Sequence, residues 1–493
     1  MAKICVPILS PTTAAALAEM ARLAPLADLF ELRLDHLYEC DLARLLADRP
    51  RPVIVTNRSS VEGGFKIQDE SARLSSLAQA VRLGADYVDV ELTSLPAFER
   101  FCPRSLRGQT KLIVSYHNFA SLPDYLPDLA RSIAETNADI VKVAAMAQCL
   151  EDNLKIFALL RAATKPTIAL AMGEFGQMSR ILAGKFGALL TFAAAESGLE
   201  SAPGQITADQ MANLYHANRI NPDTRVYALI GNPVEHSLGP AIHNAAFAAL
   251  DLDAVYLRLK VEGDPADLVR AFAAIPIDGF SVTSPHKTAV MAACSKIDPV
   301  ALRMKAVNTL VRRDDGYHAT NTDVTAAMQA LAVVLGTDDF SGRRAVVVGA
   351  GGVGRAYVHG LIARGAVVSV ADLDEARARA LAEESGATPI TLAQVAQTQA
   401  DILMNATPLG MWPKVDATPV DPAALRPGLV VFDAVYNPRE TRLLREAAAR
   451  GCQTISGVEQ FIGQAIEQFE LWTARPAPAE LMRQVVLDAL ENK

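Results

Sequence analysis

A lysine inside an apolar segment is the first residue of this sequence with an evident chemical use. Lys142 stands between valines in the run IVKVA, residues 140–144, and lysine is rarely buried without a function. An apolar setting favours the uncharged amine, which can attack a ketone and form a Schiff base. His117 supplies a group that titrates near neutrality, as proton transfer requires. The pair predicts imine chemistry; the alternative is a lysine that extends from the strand end into solvent.

A glycine-rich turn in the second half of the chain predicts a dinucleotide site. The apolar run Ala345–Val348 precedes the turn, and an amphipathic helix and a second apolar run, Val367–Val370, follow it. In this setting the glycines permit a tight turn and a close approach of a pyrophosphate to the helix N-terminus. The alternative is a similar turn without a ligand. The predicted cofactor contacts here are Gly349, Ala350, Gly351, Gly352, Val353, Gly354 and Asp372.

A lysine and an aspartate in polar segments form a second candidate pair. Lys287 ends the segment GFSVTSPHK, and Asp323 ends the segment ATNTD. A lysine–carboxylate pair beside a carbonyl suits proton transfer that is coupled to hydride transfer. The alternative is a surface salt bridge, but the small polar residues of AVNTL, residues 306–310, favour a site.

Short apolar strands that alternate with helical segments must position the residues of the first half. The predicted strands are Lys3–Ile8, Leu29–Leu34, Val53–Thr56, Tyr87–Glu91, Lys111–Tyr116, Ile140–Ala144, Thr167–Met172 and Leu189–Phe192. Eight strands with helical crossovers, such as Thr12–Leu23 and Leu150–Ala163, predict a (β/α)8 barrel whose active site lies at the C-terminal strand ends. Polar residues gather at those ends, namely Glu31, Arg33, Asp35, Arg58, Asp89, Glu91, His117, Lys142 and Arg180. A charge at almost every strand end favours a site over a solvated rim.

The length and charge of the chain limit its class. With 493 residues it is expected to form two to four domains. The net charge of −8 argues against nucleic acid or an anionic membrane as a partner, and no apolar run reaches the ~20 residues that span a bilayer. The N-terminal segment lacks the apolar core of a signal peptide. Six scattered cysteines without a C-x-x-C pair predict buried free thiols in the cytoplasm, with no disulfide or zinc framework.

Seven motifs of the first half resemble those of type I 3-dehydroquinate dehydratase. They are ELRLD (31–35), TNR…EGG (56–64), DVEL (89–92), SYHNF (115–119), VKVA (141–144), MGEFGQMSR (172–180) and SAPGQ (201–205). The resemblance implies that Lys142 forms an imine with the substrate ketone. It also implies that His117 removes the neighbouring proton and helps the hydroxyl to leave, with Glu91 orienting it. The implied substrate contacts are Glu31, Arg33, Arg58, Met172, Arg180, Phe192, Ser201 and Gln205. An iminium acidifies the neighbouring C–H, so no metal is required.

The second half resembles shikimate dehydrogenase over its full length. The resemblance rests on VYALIGNPVEHSLGPAIHNAAF (226–247), GFSVTSPHK (279–287), AVNTL (306–310), ATNTD (319–323), NATPLGM (405–411) and GVEQFIGQAIEQFELW (457–472). It implies that Lys287 and Asp323 are the catalytic pair. The implied substrate contacts are Ser237, Gly239, Thr283, Asn308 and Gln464. The implied contacts to the nicotinamide are Asn405, Thr407, Pro408, Gly410, Met411 and Gly457.

Three positions depart from the shikimate dehydrogenase pattern. Gly239 stands where the family usually has a second serine, and Ser281 where it usually has asparagine. The turn after the second nucleotide-lobe strand reads Ala-Asp-Leu-Asp, residues 371–374, in place of the Asn-Arg-Thr whose arginine holds the 2′-phosphate of NADP. An aspartate accepts hydrogen bonds from ribose hydroxyls and repels a phosphate, although Arg377 and Arg379 could compensate in part. We therefore expect NAD(P) as cofactor, with NAD favoured over NADP because of Asp372.

The order of the halves resembles the fused bifunctional enzyme of the shikimate pathway in plants. A helix at Thr207–Arg219 and a turn at 220–225 are expected to join them. The expected parts are a barrel at 1–218, a catalytic lobe at 224–327, a Rossmann lobe at 328–455 and a C-terminal segment at 456–493 that returns to the catalytic lobe. The implied substrates are 3-dehydroquinate and 3-dehydroshikimate or shikimate. Two alternatives remain: an NAD-linked quinate dehydrogenase in the second half, or a sensor that binds these acids without converting them.

Overall fold

Eight parallel strands form a barrel in the first half of the computed structural model, which describes residues 1–491. The strands are β1 (Lys3–Ile8), β2 (Leu29–Arg33), β3 (Val53–Thr56), β4 (Tyr87–Glu91), β5 (Lys111–Asn118), β6 (Ile140–Met146), β7 (Thr167–Met172) and β8 (Leu190–Phe192). Their order is β7-β6-β5-β4-β3-β2-β1-β8, and a hydrogen bond from Leu189 N–H to the Thr167 carbonyl (2.9 Å) brings the two ends of the sheet together. The predicted (β/α)8 barrel is confirmed.

Seven helices connect these strands. They are α1 (Thr13–Leu23), α2 (Leu42–Ala47), α3 (Glu70–Arg82), α4 (Leu95–Phe101), α5 (Leu126–Glu135), α6 (Asp152–Arg161) and α7 (Gln177–Ile181). The helix predicted at Thr207–Arg219 is shorter in the structure, where residues 208–214 are helical and Gln210–Leu214 forms a π-helical turn. His216, with φ of 48°, takes the left-handed conformation two residues after this turn, which prevents its continuation.

The second half contains two further sheets. Their strands are β9 (Arg225–Gly231), β10 (Ala254–Lys260), β11 (Gly279–Val282), β12 (Cys294–Ile297), β13 (Thr309–Arg313), β14 (Gly316–Thr320), β15 (Arg344–Val348), β16 (Val367–Ala371), β17 (Thr388–Pro389), β18 (Ile402–Asn405), β19 (Val430–Asp433) and β20 (Gln453–Ser456). The first sheet is mixed and has the order β10-β9-β11-β13-β14-β12. The second is parallel and has the order β17-β16-β15-β18-β19-β20. That order is the doubly wound Rossmann arrangement, so the predicted nucleotide fold is also confirmed.

Ten helices accompany these two sheets. They are α8 (Gly239–Ala249), α9 (Pro265–Ala271), α10 (Pro299–Met304), α11 (Thr322–Leu335), α12 (Gly352–Ala363), α13 (Glu375–Ser385), α14 (Leu392–Val395), α15 (Arg442–Ala449), α16 (Gly457–Thr473) and α17 (Ala479–Glu491). Alternate residues of β15 serve the two faces of the parallel sheet: Ala345 and Val347 pack in one apolar core, and Val346 and Val348 in the other. Helix α16 returns to the mixed sheet, where Trp472 Nε1 donates to the Leu310 carbonyl at 3.0 Å.

The chain divides into two units by its internal contacts. The first contains residues 1–226, 253–261 and 271–276, and the second contains the rest. Helices with the length and apolar character of a membrane span are absent from residues 1–491. All six cysteines are free, as predicted, but burial holds only for Cys5 and Cys102, since Cys40 and Cys149 stand exposed on loops.

Candidate active sites

The amine of Lys142 lies inside the barrel between two carboxylates. Its Nζ is 2.7 Å from Asp89 Oδ2, 3.3 Å from Glu31 Oε1 and 4.5 Å from the centre of the Phe192 ring. The sequence predicted an apolar setting, and the structure differs because β6 alternates. Side chains alternate along a strand, so Val141 and Val143 lie on the opposite face of β6 from Lys142, which lines the pocket at the C-terminal end of the barrel. In this state the amine is an ion-paired donor, so it must lose a proton before it attacks a carbonyl.

Arg58 organises the carboxylates below Lys142. Its guanidinium donates to Asp89 Oδ2 (2.9 Å), Glu91 Oε1 (3.0 Å) and Ser115 Oγ (2.9 Å). Burial opposes the charge of Asp89, but Arg58 and Lys142 hold the pKa of this carboxyl well below its usual range. Asp89 is therefore expected to be ionised near neutral pH, beside the amine of Lys142.

Glu62 orients His117, which corrects the role expected for Glu91. The carboxylate Oε2 of Glu62 lies 3.0 Å from His117 Nδ1 and accepts the His117 backbone N–H at 2.9 Å. Glu91 instead accepts from Arg58, from the Ser59 N–H (2.9 Å) and from Arg73 (2.8 Å). The resemblance to type I 3-dehydroquinate dehydratase implied this role for Glu91, whereas Glu62 stands in the TNR…EGG motif, which was the signal for it in the sequence.

Burial shifts the pKa values of both His117 and Glu62. Burial and the neighbouring cations Arg58 and Lys142 lower the pKa of His117 well below its usual value. Burial raises the pKa of Glu62 to about 7. His117 is therefore a neutral imidazole near neutrality. When Glu62 is ionised, it holds the proton on Nδ1 and leaves Nε2 with a free lone pair.

Arg180 is a buried guanidinium with free hydrogen-bonding capacity. Its side chain is 1% exposed, it reaches the carbonyls of Phe192 and Pro203 only at 3.4 and 3.5 Å, and its Nε has no partner within the described part of the chain. Burial lowers the pKa of Arg180 to about 10, so it remains cationic at neutral pH. Such a group is suited to bind a ligand carboxylate through two parallel hydrogen bonds.

These groups line one pocket at the C-terminal end of the barrel, whose empty space of about 440 Å³ includes its open mouth. Ten residues predicted from the sequence line this pocket, together with Glu62, which was not predicted. The ten are Glu31, Arg33, Arg58, His117, Lys142, Met172, Arg180, Phe192, Ser201 and Gln205. Ser201 and Gln205 are hydrogen-bonded to each other, with Gln205 Nε2 donating to Ser201 Oγ at 3.0 Å. Glu91, in contrast, is not one of the lining residues and pairs with Arg58. The cavity therefore places an amine, an imidazole and a free cation around a volume that fits one small ring.

Lys287 and Asp323 form the expected pair in the second half. Lys287 Nζ lies 2.5 Å from Asp323 Oδ2, and the two side chains are 27% and 18% exposed. Asp323 stands in the first turn of α11, which Asn321 caps by accepting the Asp323 N–H at 3.1 Å. Gln460 of α16 donates to the Asp323 carbonyl at 3.3 Å. The pair is therefore partly accessible, as proton exchange with a substrate oxygen requires.

The predicted substrate contacts of this half differ in burial and in their hydrogen-bond partners. Asn308 is buried, and its Oδ1 accepts from Thr322 N–H and Thr309 Oγ1, both at 2.8 Å, so it holds the start of α11 beside Asp323. Ser237 Oγ accepts the N–H of Gly239, the first residue of α8, at 3.2 Å. Thr283 is partly buried.

Two glutamines on either side of Gln464 on α16, which the sequence did not indicate, contact residues near Asn308 and Asp323. Gln464 donates to the Phe461 carbonyl of its own helix at 3.1 Å. Gln468, one turn further, donates to Thr309 Oγ1 at 3.0 Å, and Gln460, one turn earlier, reaches Asp323. Their spacing of four residues was the only signal in the sequence, and it does not say which turn of the helix faces the mixed sheet.

The glycine-rich turn has the geometry that a pyrophosphate needs. Gly349 has a φ of 108°, which favours glycine. A Cβ at Gly354 would lie 1.8 Å from the Gly349 carbonyl oxygen, so only glycine lets α12 begin there. Gly351 and Gly352 are exposed, with open space where a Cβ would stand. Ala350 and Val353 complete this turn, and α12 begins within it at Gly352, so the first N–H groups of the helix are placed where phosphate oxygens bind in such folds.

Asp372 is tied to this turn. Its Oδ2 accepts the Ala350 N–H at 2.7 Å, and its Oδ1 accepts the Asp374 N–H at 2.8 Å. Arg377 and Arg379 lie on the exposed side of α13 and pair with Asp374 (3.9 Å) and Glu375 (3.2 Å). The carboxylate, rather than either arginine, therefore lies beside the loop at the end of β16.

The loop after β18 borders the glycine-rich turn. Val348 and Asn405 stand in register, and a Cβ at Gly349 would lie 3.0 Å from the Ala406 backbone. Asn405 Oδ1 accepts from Thr407 N–H and Thr407 Oγ1. The remaining predicted contacts are Pro408 and Met411, which are exposed, Gly410, with a φ of 93°, and Gly457, which is packed against the Ala434 carbonyl. A dinucleotide fits this edge because the strand order reverses between β15 and β18.

Four family models match segments of this chain. They are type I 3-dehydroquinase at 4–222, the shikimate dehydrogenase substrate binding domain at 229–310, NADP oxidoreductase, coenzyme F420-dependent, at 344–434, and the shikimate 5′-dehydrogenase C-terminal domain at 457–487.

Relatives match the whole chain and its second half. The chloroplastic bifunctional 3-dehydroquinate dehydratase/shikimate dehydrogenase of Arabidopsis thaliana is 40% identical over 506 residues, which cover 98% of this chain and 84% of that protein. A shikimate dehydrogenase solved with NADP+ is 34% identical, with a TM-score of 0.52, over 55% of this chain and 97% of its own. Quinate dehydrogenase from Corynebacterium glutamicum, solved with NAD, is 32% identical, with a TM-score of 0.51, and the match covers 54% of this chain and 99% of that protein. The chain belongs to the family of bifunctional 3-dehydroquinate dehydratase/shikimate dehydrogenases.

Proposed function

We propose that the chain catalyses two consecutive reactions: dehydration of 3-dehydroquinate in the barrel and NAD(P)-dependent reduction of 3-dehydroshikimate to shikimate in the second half. The observation that carries the first reaction is the joint presence of Lys142 and the free Arg180 cation in one cavity. They match a ketone and a carboxylate on one ring. The pair Lys287–Asp323 beside a Rossmann sheet supports the second reaction.

In the barrel, Lys142 is the proposed nucleophile. After the amine loses a proton to solvent, it attacks the ketone, and loss of water gives an iminium. His117 then removes a proton from the adjacent carbon, and the electron pair moves into the iminium to form an enamine. The enamine expels the hydroxyl as water with a proton returned from His117, and hydrolysis of the remaining imine releases the product. Arg180 holds the substrate carboxylate throughout.

In the second half, Lys287 and Asp323 are the proposed proton-transfer residues. The residues at the edge of the parallel sheet fit a dinucleotide, and the bound nicotinamide would supply hydride to the substrate carbonyl carbon. The lysine ammonium donates a proton to the carbonyl oxygen as charge develops there, and the aspartate orients the ammonium.

Glu62 predicts a pH dependence for the dehydratase. Its carboxylate sets the His117 tautomer only when ionised, so kcat/KM should rise with pH through about 7, the value to which burial raises the pKa of Glu62. Glu62→Gln should lower the plateau by about 10²-fold and remove the inflexion. Initial rates from pH 5.5 to 9 check this, with Glu196→Gln, an exposed carboxylate paired with Arg22, as the control. An unchanged inflexion in Glu62→Gln would contradict the assignment.

Asp372 supports a preference for NAD over NADP. A carboxylate at the end of β16 accepts ribose hydroxyls but repels a 2′-phosphate. The wild type should therefore show a higher kcat/KM with NAD, and Asp372→Asn should raise kcat/KM with NADP about tenfold, which is about 1.4 kcal/mol of removed repulsion. Asp401→Asn is the matched control, because Asp401 accepts the Arg344 N–H at the opposite end of β15. A strong NADP preference in the wild type would exclude the proposal.

Quinate is a second candidate substrate for the second half. Gly239 lacks the hydroxyl that a serine would present to the substrate, and quinate carries an additional hydroxyl on a saturated carbon. The likeness to a quinate dehydrogenase solved with NAD favours testing it. Steady-state kinetics with quinate and shikimate and with both nucleotides separate the two substrates, and absence of quinate turnover would eliminate this candidate.

A coupled assay tests the complete proposal. The purified chain should convert 3-dehydroquinate to shikimate when NADH or NADPH is supplied, with one nucleotide oxidised per substrate consumed. Binding of either acid without conversion would support the sensor alternative instead.

The six free thiols support a reducing compartment such as the cytoplasm.

A further inference from the structure

A buried aspartate lies behind the proposed nicotinamide edge and takes no part in the reaction described above. Asp433 ends β19 in the row where Asn405 ends β18 and Ser456 ends β20. Val348 of β15 continues this row next to the glycine-rich turn. Asp433 is 0% exposed, which is a costly position for a carboxylate.

Three donors surround this carboxylate. Its Oδ1 accepts from Asn405 Nδ2 at 2.8 Å and from the Val435 N–H at 3.0 Å, and its Oδ2 accepts from Thr441 Oγ1 at 2.6 Å. Burial raises the pKa of Asp433, and these donors offset that effect only in part. A group kept at such a position must have its hydrogen bonds satisfied, so its donors are held firmly in place.

The donors belong to two different loops. Asn405 begins the loop 405–411, and its Oδ1 holds Thr407 through the backbone N–H and the hydroxyl. Thr441 closes the loop 434–441 and caps α15 by accepting the Leu444 N–H. A further bond from the Trp412 N–H to the Asn437 carbonyl (3.2 Å) joins the same two loops. Asp433 is thus the common acceptor that ties both loops to the sheet edge.

We propose that Asp433 is a positioning residue for the nicotinamide cofactor, which keeps the loop 405–411 in its binding-competent arrangement. This inference rests on the proposed function of the second half. Asparagine keeps one acceptor oxygen and replaces the other with an NH2 group, so in Asp433→Asn an amide donor would face the Thr441 hydroxyl or the Asn405 amide, and one of the three donors would lose its acceptor. If the competent arrangement then falls to about a tenth of the population, the apparent Kd for the nucleotide rises about tenfold.

The test measures KM and Kd for NAD and NADP, KM for shikimate, kcat, and the dehydratase rate on the same preparation. Asp433→Asn should raise KM and Kd for the nucleotide about tenfold, with kcat at saturation and KM for shikimate changed less than twofold. Thr441→Val, which removes one donor, should give a smaller rise of about threefold, and Thr441→Ser, which keeps the hydroxyl, should restore wild-type values. The dehydratase in the barrel should be unchanged in every variant.

Two results would overturn the inference. One is a nucleotide Kd within twofold of wild type in both Asp433→Asn and Thr441→Val. The other is an equal loss in nucleotide KM, shikimate KM and kcat, which indicates general damage to the fold. A wild-type chain without dehydrogenase activity would instead refute the proposed function, so the two failures are distinguishable.

Discussion

Lys142→Ala is expected to lower the dehydratase kcat by at least roughly 10⁴-fold, because among residues 1–491 Lys142 is the one lysine that lines the cavity. The dehydrogenase rate of the same preparation should stay within twofold of wild type. The measurement is paired initial rates with 3-dehydroquinate and with shikimate. Treatment with borohydride during turnover should add the mass of the reduced substrate to a peptide that contains Lys142 in the wild type alone.

The control for this prediction must separate lost chemistry from lost charge. Lys142 neutralises two buried carboxylates, Asp89 and Glu31, and removal of such a partner typically costs about 3–5 kcal/mol of stability. Lys142→Arg retains the cation but cannot form an imine, so it should be inactive with a smaller fall in Tm than Lys142→Ala. A dehydratase rate in Lys142→Arg above a hundredth of wild type, or no borohydride adduct in the wild type, would contradict the nucleophile and favour a binding protein.

The barrel was predictable because buried parallel strands appear as continuous apolar runs. The predicted bounds of β1, β3, β4 and β7 agree with the structure, and the other four strands differ by two residues at most. The helix predicted at Thr207–Arg219 was too long at its C-terminal end: its apolar periodicity suits a helix, but this periodicity does not indicate the left-handed conformation of His216.

The site was predictable in its residue types more than in its contacts. Strand-end positions identified Lys142, Arg58 and His117, since the carboxyl ends of a barrel converge. They could not show that Glu91 pairs with Arg58, nor that the turn at Ser60–Glu62 places the Glu62 carboxylate beside His117. Which carboxylate meets which base depends on loop conformation.

Lys287→Met is expected to lower the dehydrogenase kcat by about 10³-fold, within the range for loss of a general acid. The methionine retains most of the apolar stem, and KM for the nucleotide should change little because Lys287 contacts Asp323 rather than the glycine-rich turn. The dehydratase rate of the same chain should be unchanged. Stopped-flow absorbance of the nicotinamide at saturating shikimate measures the effect.

Two further variants show whether the effect belongs to proton transfer. Asp323→Asn keeps the lysine but weakens its orientation, so a loss of about 10²-fold in kcat is expected, smaller than that of Lys287→Met. Lys305→Met, at a lysine that is 67% exposed, should leave both rates unchanged. If Lys287→Met retained more than a tenth of the wild-type kcat, the proton would have to come from another group, because a residue that donates to the developing alkoxide cannot be replaced by a thioether at so small a cost.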